Sequence, residues 1–309
     1  MYNKIILAGG SGFIGNVLAY YYCTRAKEVV ILSRNPHSDE NNIRHVVWDG
    51  KEKGEWANEL EGADLLINLC GKNVNCRYTH KNKEEIFRSR LEPTVALGKA
   101  LQNLSNPPSL WIQIASATIY RHAEDHYQDE HTGEIGSGFS VDVCKAWEFC
   151  FWNCITPRTR KIILRTGIVL GRKDGVLLRL KNMVQFGLGG KQGNGRQYFS
   201  WIHEQDLARI TEWLIVKGKD GEVYNAAAPV AHTNEKLMKL MRQLLGVRFG
   251  FPAPRWLLEM GALLIGTETE LVLKSRWVYP AKLLERGFSF SFADLRTALE
   301  DLLQKKIQP

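Results

Sequence analysis

The sequence predicts an α/β protein with a doubly wound parallel sheet and a smaller, mostly helical carboxy-terminal lobe. In the first half, short β-branched runs alternate with longer amphipathic runs, which is typical of strand and helix units around a parallel sheet. The strands are apolar nearly throughout, as expected when helices cover both faces of the sheet. The predicted strands are Lys4–Ala8, Val29–Ser33, Arg44–Trp48, Asp64–Cys70, Leu110–Ser116 and Lys161–Leu170, and the helices between them are Gly12–Arg25, Thr79–Leu104 and Phe139–Cys154.

The pattern changes after Gly171, where a glycine-rich basic segment begins. A helix entered at His203 and a short strand follow, and two prolines then mark a linker. The later elements are the strand Glu222–Ala226 and the helices Arg255–Gly266 and Phe292–Gln304.

Two units are therefore expected, a cofactor domain and a substrate lobe. The cofactor domain covers residues 1–170 and is completed by about 204–228. The substrate lobe combines residues 171–203 and 229–309, of which 252–309 form a carboxy-terminal domain.

Composition excludes several classes of protein. With 309 residues, 44% of them apolar, the chain is long enough for a large core, and it has no apolar run of membrane-spanning length. We expect a cytoplasmic protein, since the amino terminus runs straight into a strand. The six cysteines form no Cys-x-x-Cys pair, so reduced thiols are expected and no metal site.

The formal charge of +8 favours an anionic partner. Basic residues are interleaved with acidic ones, and no nucleic-acid motif accompanies them, so a small anionic substrate is expected instead of nucleic acid. Between Gly171 and Ser200, six cations stand against the single acid Asp174, which fits either a solvated basic face or a phosphate-seeking lobe.

A glycine run between the first strand and the first helix predicts a phosphate-binding loop. Its residues are Gly9, Gly10, Ser11, Gly12, Phe13, Ile14 and Gly15. This spacing matches the dinucleotide fingerprint of the Rossmann fold, in which backbone N–H groups at the helix amino terminus face the pyrophosphate.

The end of the second strand predicts which dinucleotide is bound. An acid there would accept hydrogen bonds from the ribose 2′-hydroxyl of NAD(H), but this strand ends at Ser33 and Arg34. The forked guanidinium of Arg34 suits a 2′-phosphate, so NADP(H) is the expected cofactor.

Further motifs carry a resemblance to a known family. They include Ser116 at the end of strand five, Val141–Glu148 in the next helix, Asn68–Gly71, Ser89-Arg90-x-x-x-Thr94, Leu164–Gly167, Gly195–Asp206, Tyr224–Pro229 and Tyr279–Phe290. With these motifs the chain resembles the extended short-chain dehydrogenase/reductases, the NAD-dependent epimerase/dehydratase superfamily. It looks most like a branch of predicted nucleoside-diphosphate-sugar epimerases, sometimes labelled cell-division inhibitors, that ends in a small domain of unknown function.

The resemblance implies a set of site residues. Leu69, Cys70 and Gly71 would contact the cofactor. In active members a serine binds the reacting oxygen, a tyrosine exchanges its proton, and a lysine four residues after the tyrosine holds the nicotinamide ribose. Ser116 matches the serine and Lys145 the lysine, but Val141 occupies the tyrosine position and cannot exchange a proton.

Other groups are candidates for the missing role. Tyr120, His203 or a water held by Ser116 would serve as the proton donor, although Tyr120 also fits a packing aromatic and His203 a loop-fixing residue. Arg196 and Gln197, with Trp201 and His203, are candidate substrate-binding residues, with core packing an equal alternative for the aromatic ring.

Two functions remain open. One is an NADP(H)-dependent oxidoreductase or epimerase acting on an anionic carbonyl or hydroxyl compound, nucleotide-linked or not. The other is a non-catalytic protein that binds NADP(H) and senses its redox state. A monomer and a homodimer are both compatible with the sequence. Separately, the acidic, histidine-containing loop 122–131 is expected to be solvated and to hold no metal.

Overall fold

A parallel sheet of seven strands organises the computed structural model, which describes residues 1–35, 38–52, 54–265 and 268–303. The strands are β1 (Tyr2–Ala8), β2 (Ala26–Ser33), β3 (Ile43–Val47), β4 (Leu65–Asn68), β5 (Leu110–Ser116), β6 (Arg160–Thr166), β7 (Ile168–Leu170), β8 (Tyr198–Phe199), β9 (Trp201–His203), β10 (Glu222–Ala226) and β11 (His232–Thr233). The helices are α1 (Phe13–Tyr22), α2 (His80–Gln102), α3 (Phe139–Trp152), α4 (Val176–Gln185), α5 (Glu204–Lys217), α6 (Asn234–Leu245), α7 (Arg255–Ile265), α8 (Glu270–Leu273), α9 (Ala281–Glu285) and α10 (Leu295–Leu303).

The strand order across the sheet is β10-β6-β5-β4-β1-β2-β3. Helices α1 and α5 cover one face, where Leu18 and Leu207 join the core, and α2 and α3 cover the other, where Leu97 and Phe151 do. The predicted doubly wound α/β fold is confirmed. Because the order reverses between β1 and β4, the carboxyl ends of these strands border the crevice in which such folds bind ligands.

The predicted continuous strand Lys161–Leu170 is wrong, because the chain changes partner at Gly167. Up to Thr166 the chain pairs with β10, whereas Ile168–Leu170 pair with β9 in a separate two-stranded sheet. A Cβ at Gly167 would lie 3.0 Å from the carbonyl oxygen of Ser200, so glycine allows the close approach at this switch.

The second lobe packs helices α4, α6 and α10 around its own core, with Trp201 fully buried among them. The sequence analysis placed no helix at α4 or α6. The predicted helices ending at Gly266 and Gln304 have their last residues outside the described part of the chain. Within that part, none of the helices combines the length and apolarity that a bilayer crossing requires.

Candidate functional site

The glycine loop joins β1 to α1 at the carboxyl edge of the sheet. Gly9 has a φ of +74°, and a Cβ at Gly15 would lie 2.0 Å from the carbonyl oxygen of Gly10, so both positions require glycine. Gly12 caps α1 without a side chain, the first turn of α1 contains no acid, and a Cβ on Gly12 would meet nothing within 4 Å. The amino end of α1 is therefore open to a phosphate.

The other predicted loop residues occupy different surroundings. Ser11 is exposed and Ile14 is partly buried against the core. The ring of Phe13 packs on Gly171 and Gly175, where Cβ atoms would come within 2.2 and 3.1 Å of it. The loop thus contacts the chain that leads into α4.

The ends of β2 and β4 lie beside this loop. A Cβ at Gly9 would meet the Cys70 sulfur at 2.7 Å, which brings Cys70 and Gly71 to the cofactor crevice. Burial raises the pKa of the Cys70 thiol to about 12, and the nearby Arg34 guanidinium opposes this rise. Ser33 is buried and donates from Oγ to the carbonyl of Asn35. The exposed Arg34 therefore stands at the same edge as the glycine loop.

Ser116 ends β5 and begins a short turn that carries Thr118. Its Oγ accepts a hydrogen bond from the Thr118 N–H at 3.2 Å. Lys274 donates from Nζ to the Thr118 carbonyl at 2.8 Å, and Arg276 donates from Nε to the Thr118 hydroxyl at 3.1 Å. The carboxy-terminal lobe thus brings two cations to within two residues of Ser116.

A third buried cation, Arg90, donates to the carbonyls of Ile86 and Lys72 and lies over the ring of Trp147. Arg90, Lys274 and Arg276 are each near enough to the Cys144 sulfur for a charge there to alter their pKa values. Burial lowers the pKa of all three cations. Glu270 opposes this lowering at Lys274 and Arg276. Because burial disfavours like charges held together, this cluster would be stabilised by an anion.

A cavity of about 690 Å³ opens beside the cluster. Its lining includes Arg121, Arg255 and Lys274 together with the carboxylate of Glu270. This volume lies within the usual range of small-molecule sites. The cavity and the cation cluster share Lys274, so an anionic ligand in the cavity would lie next to the end of β5.

Helix α3 carries Val141, Cys144 and Lys145, which differ in burial. Val141 and Cys144 are buried with Ala117, Ile119 and Tyr120 after β5, whereas Lys145 is exposed. Cys144 is an α3 residue that packs toward the end of β5. The role of Lys145 in binding the nicotinamide ribose stays a prediction. Burial raises the pKa of the Cys144 thiol to about 11, so this thiol is neutral near pH 7.

Tyr120 has an engaged hydroxyl. This side chain is 2% exposed, and the hydroxyl donates to Asn225 Oδ1 at 3.1 Å and accepts from Arg165 at 3.0 Å. Arg165 is itself held by the buried Glu148 through two hydrogen bonds of 2.8 Å. Burial is the largest cause of the raised pKa of Tyr120. These contacts fit a packing role better than proton exchange.

The four candidate substrate contacts are not brought together. Arg196 is exposed, with Nε 3.5 Å from Glu124, while Gln197 is buried and donates to the Gln192 carbonyl. Trp201 is fully buried, and its ring nitrogen donates to a backbone carbonyl. Three of the four, Gln197, Trp201 and His203, are buried, and their role in substrate binding stays a prediction.

His203 caps helix α5. Its Nδ1 accepts from the Gln205 N–H at 3.1 Å, its Nε2 lies 3.3 Å from Asp301, and its ring stacks on Phe292 at 3.7 Å. Burial lowers the pKa of His203. It therefore fixes the entry of α5 and has no exposed face for a substrate.

The acidic loop after Tyr120 is organised by ion pairs. Arg121 contacts Asp125 at 2.8 Å and Glu134 at 2.9 Å. Across residues 1–35, 38–52, 54–265 and 268–303, no three histidine, cysteine or carboxylate side chains are arranged to hold a metal.

Sequence reasoning gave no role to Arg90, Cys144, Lys274 or Arg276. Arg90 appeared only within a motif. Lys274 and Arg276 did carry a signal, since cations at alternate positions of an extended segment point to the same side.

The open helix terminus at the edge of a parallel sheet, beside the crevice where strand order reverses, defines a dinucleotide-binding protein of the Rossmann class. Comparison with known proteins agrees. Residues 5–227 match the NAD dependent epimerase/dehydratase family, and residues 253–302 match a domain of unknown function, DUF1731. The chain belongs to the NAD dependent epimerase/dehydratase family, which confirms the predicted resemblance.

Relatives match along nearly the whole chain. An epimerase family protein of Staphylococcus saprophyticus is 32% identical over 301 residues, which cover 96% of this chain and 98% of the relative. The crystal structure of human epimerase family protein SDR39U1 (isoform 2) with NADPH superposes with a TM-score of 0.85 at 28% identity, covering 97% of this chain and 98% of that one. The nucleoside-diphosphate sugar epimerase of Corynebacterium glutamicum has a TM-score of 0.76 at 26% identity, covering 98% of this chain and 58% of that one.

Proposed function

We propose that this protein binds NADP(H) and acts as an epimerase or oxidoreductase on an anionic compound that carries a hydroxyl or carbonyl group. One observation carries the proposal: Lys274 and Arg276 are hydrogen-bonded to Thr118, two residues beyond Ser116. If these cations held the anionic group of a substrate, the carbon next to that group would lie near Ser116. A nucleotide-linked sugar is one compound of this class, and the similarity to the Corynebacterium glutamicum protein supports it.

The proposed cofactor rests on Arg34 and the glycine loop. An arginine at the end of β2 suits a 2′-phosphate, and the open amino end of α1 suits the pyrophosphate. The human relative has been crystallised with NADPH and shares the fold along nearly its whole length, which supports the same cofactor here.

The proposed chemistry divides between cofactor and protein. When bound, the nicotinamide supplies or accepts a hydride. The Ser116 hydroxyl, which accepts from the Thr118 N–H, keeps its own proton available for the reacting oxygen. Because Val141 cannot exchange a proton, we propose that a water held by Ser116 carries it. A role for Tyr120 as the proton donor stays a prediction, and the two hydrogen bonds of its hydroxyl do not support it.

The second candidate is a protein that binds NADP(H) and signals its redox state. Two observations favour this candidate: Val141 replaces the tyrosine that would exchange a proton, and Lys145 is exposed. A protein that only binds the cofactor needs neither the tyrosine nor a buried lysine. In that case NADPH and NADP⁺ would protect the carboxy-terminal lobe differently from proteolysis. Equal protection by both would remove this candidate.

The test measures binding and turnover separately. Calorimetry should show NADPH binding more tightly than NADH. An oxidoreductase should lower NADPH absorbance with a carbonyl compound, or form NADPH from NADP⁺ with a hydroxyl compound, whereas an epimerase should convert a nucleotide sugar to its epimer, followed by NMR, without net change in NADPH. Ser116→Ala should abolish this turnover without changing NADPH affinity. Ser105→Ala, an exposed serine before β5, is the matched control and should leave turnover unchanged.

The possible outcomes separate the candidates. Tight NADPH binding with no turnover across the panel would favour the redox sensor. Full turnover in Ser116→Ala would remove the proposed role of Ser116, and turnover lost in Tyr120→Phe alone would move that role to Tyr120. Failure to bind NADPH would contradict both functions.

A further inference from the structure

Large apolar side chains are exposed together on the second lobe. Phe186, Phe249 and Phe251 are 83%, 80% and 72% exposed, and Leu188 is 49% exposed. Isolated exposed apolar residues are ordinary, but a group of this size on a soluble surface marks an interaction site.

The backbone holds these four residues side by side. The segment after α4 runs alongside the segment before α7, with the Phe251 N–H donating to the Gly187 carbonyl at 2.8 Å and the Gly190 N–H donating to the Phe251 carbonyl at 3.1 Å. Gly189 and Gly250 approach so closely that a Cβ on Gly250 would lie 2.5 Å from Gly189. The apolar residues therefore belong to one surface.

The helix that follows extends the exposed apolar surface. Trp256 and Met260 of α7 are 61% and 54% exposed, and Leu257 is 39% exposed. Tryptophan, leucine and methionine beside phenylalanine are the residues that enter the boundary between headgroups and acyl chains.

The charges on the segment that includes α4 and on the segment that leads into α7 have one sign. Residues 176–191 and 242–257 contain no aspartate or glutamate and six cations, namely Arg179, Lys181, Lys191, Arg242, Arg248 and Arg255. Arg179, Lys191, Arg248 and Arg255 are exposed, although Arg255 pairs with Glu259. Because Arg255 also lines the cavity beside Lys274, it is left out, and we call Arg179, Lys191 and Arg248, with Phe186, Leu188, Phe249, Phe251 and Trp256, the apolar–basic face.

We propose that the apolar–basic face docks the protein on an anionic lipid surface. Apolar side chains would enter the interface while the cations lie against the phosphates of the headgroups. A second copy of the chain is a poorer occupant, because it would bring like charges together. Single-stranded nucleic acid would use the cations and rings but not the leucine and methionine side chains.

Vesicle sedimentation tests the proposal with the full chain. The protein should pellet with vesicles of phosphatidylcholine and phosphatidylglycerol but not with phosphatidylcholine alone, and added salt should weaken the binding. Phe249→Ser with Phe251→Ser should weaken the binding at least about tenfold, because it removes two rings that would be buried in the lipid interface. Phe149→Ser with Ile155→Ser is the matched control, since both residues are 71% exposed elsewhere.

A second variant tests the charges. Arg179→Gln with Lys191→Gln and Arg248→Gln should weaken vesicle binding by roughly two orders of magnitude, since each cation near an anionic surface contributes roughly a fivefold effect. Lys27→Gln with Lys217→Gln and Lys219→Gln removes the same charge from other exposed positions and should leave binding within about twofold. Circular dichroism melting should show all four variants folded.

Three results would overturn the proposal. One is equal pelleting with neutral and anionic vesicles, or equal loss in the control variants. Another is a change of oligomeric state, measured by analytical ultracentrifugation, on mutating the apolar–basic face without any lipid binding. The third is tight binding of a single-stranded oligonucleotide that the face variants abolish while vesicle binding is absent.

Discussion

The two sides of the crevice are built differently. On the cofactor side, short-range geometry dominates: Gly9, Gly12 and Gly15 shape one loop, and Arg34 stands beside it. On the substrate side the groups come from distant parts of the chain, with Ser116 on β5 and the cations on α2 and after α8. The difference shows that one side of the crevice depends on neighbouring residues and the other on contacts between distant segments.

The largest expected effect is on the cofactor side. Gly15→Ala should lower the free energy of unfolding by more than about 3 kcal/mol, because its Cβ would overlap the Gly10 carbonyl and force the backbone to move. Gly12→Ala is the matched control, since its Cβ meets nothing and should cost less than about 1 kcal/mol. Urea denaturation measures both, and equal losses would contradict the geometry of the loop.

Arg34 should decide between the two dinucleotides. Arg34→Gln should weaken NADPH binding about 10- to 100-fold, the usual worth of a charge-assisted hydrogen bond, and leave NADH affinity unchanged. Calorimetry with both cofactors measures this, and Arg88→Gln on the exposed face of α2 is the control. If both cofactors lost affinity equally, Arg34 would not read the 2′-phosphate.

Lys274 tests the substrate side. Lys274→Met should weaken the binding of pyrophosphate about tenfold and leave NADPH affinity unchanged. Burial lowers the pKa of Lys274 in the folded protein, so the unfolded chain binds more protons between that lowered pKa and 10.5. The stability of the wild type relative to Lys274→Met should therefore rise as pH increases through this window.

A pH series of denaturation curves for both proteins checks the sign of this effect. A constant difference between wild type and variant would mean that the folded protein does not lower the pKa of Lys274.

The smallest effect is expected at Lys145. Because its side chain is exposed on α3, Lys145→Gln should change NADPH affinity less than about twofold and stability less than about 0.5 kcal/mol. Calorimetry and thermal melting measure the two quantities. A tenfold loss of affinity would restore the ribose-binding role that the sequence implied.

Local sequence was sufficient for the cofactor side. The apolar strands and the glycine spacing predicted β1, the loop and α1, because both depend on neighbouring residues. It was insufficient at Gly167, where the change of partner from β10 to β9 depends on chain segments far along the sequence. Helix α4 was missed because its N-cap is Gly175, which has a φ of +91° and supplies no side-chain cap.

The exposure of Lys145 was not predicted from the sequence. A four-residue spacing turns Lys145 by about 40° from the buried Val141, so the two residues lie near one face of α3 although only Val141 is buried. The buried residues of α3 also include Cys144 and Glu148, and Glu148 forms an ion pair with Arg165 of β6. This contact joins residues of different elements, so the helical spacing alone did not reveal it.

The hydrogen bonds from Lys274 and Arg276 to Thr118 impose an order of events during synthesis. The glycine loop and the ends of β2 and β4 are encoded before residue 120, whereas the segment at Gly171 and Gly175 that packs on Phe13, and helix α5 that covers α1, are made later. The cation cluster must wait for residue 276. The residues of the glycine loop thus leave the ribosome first, the elements that pack on the loop follow, and the cations that would face a substrate come last.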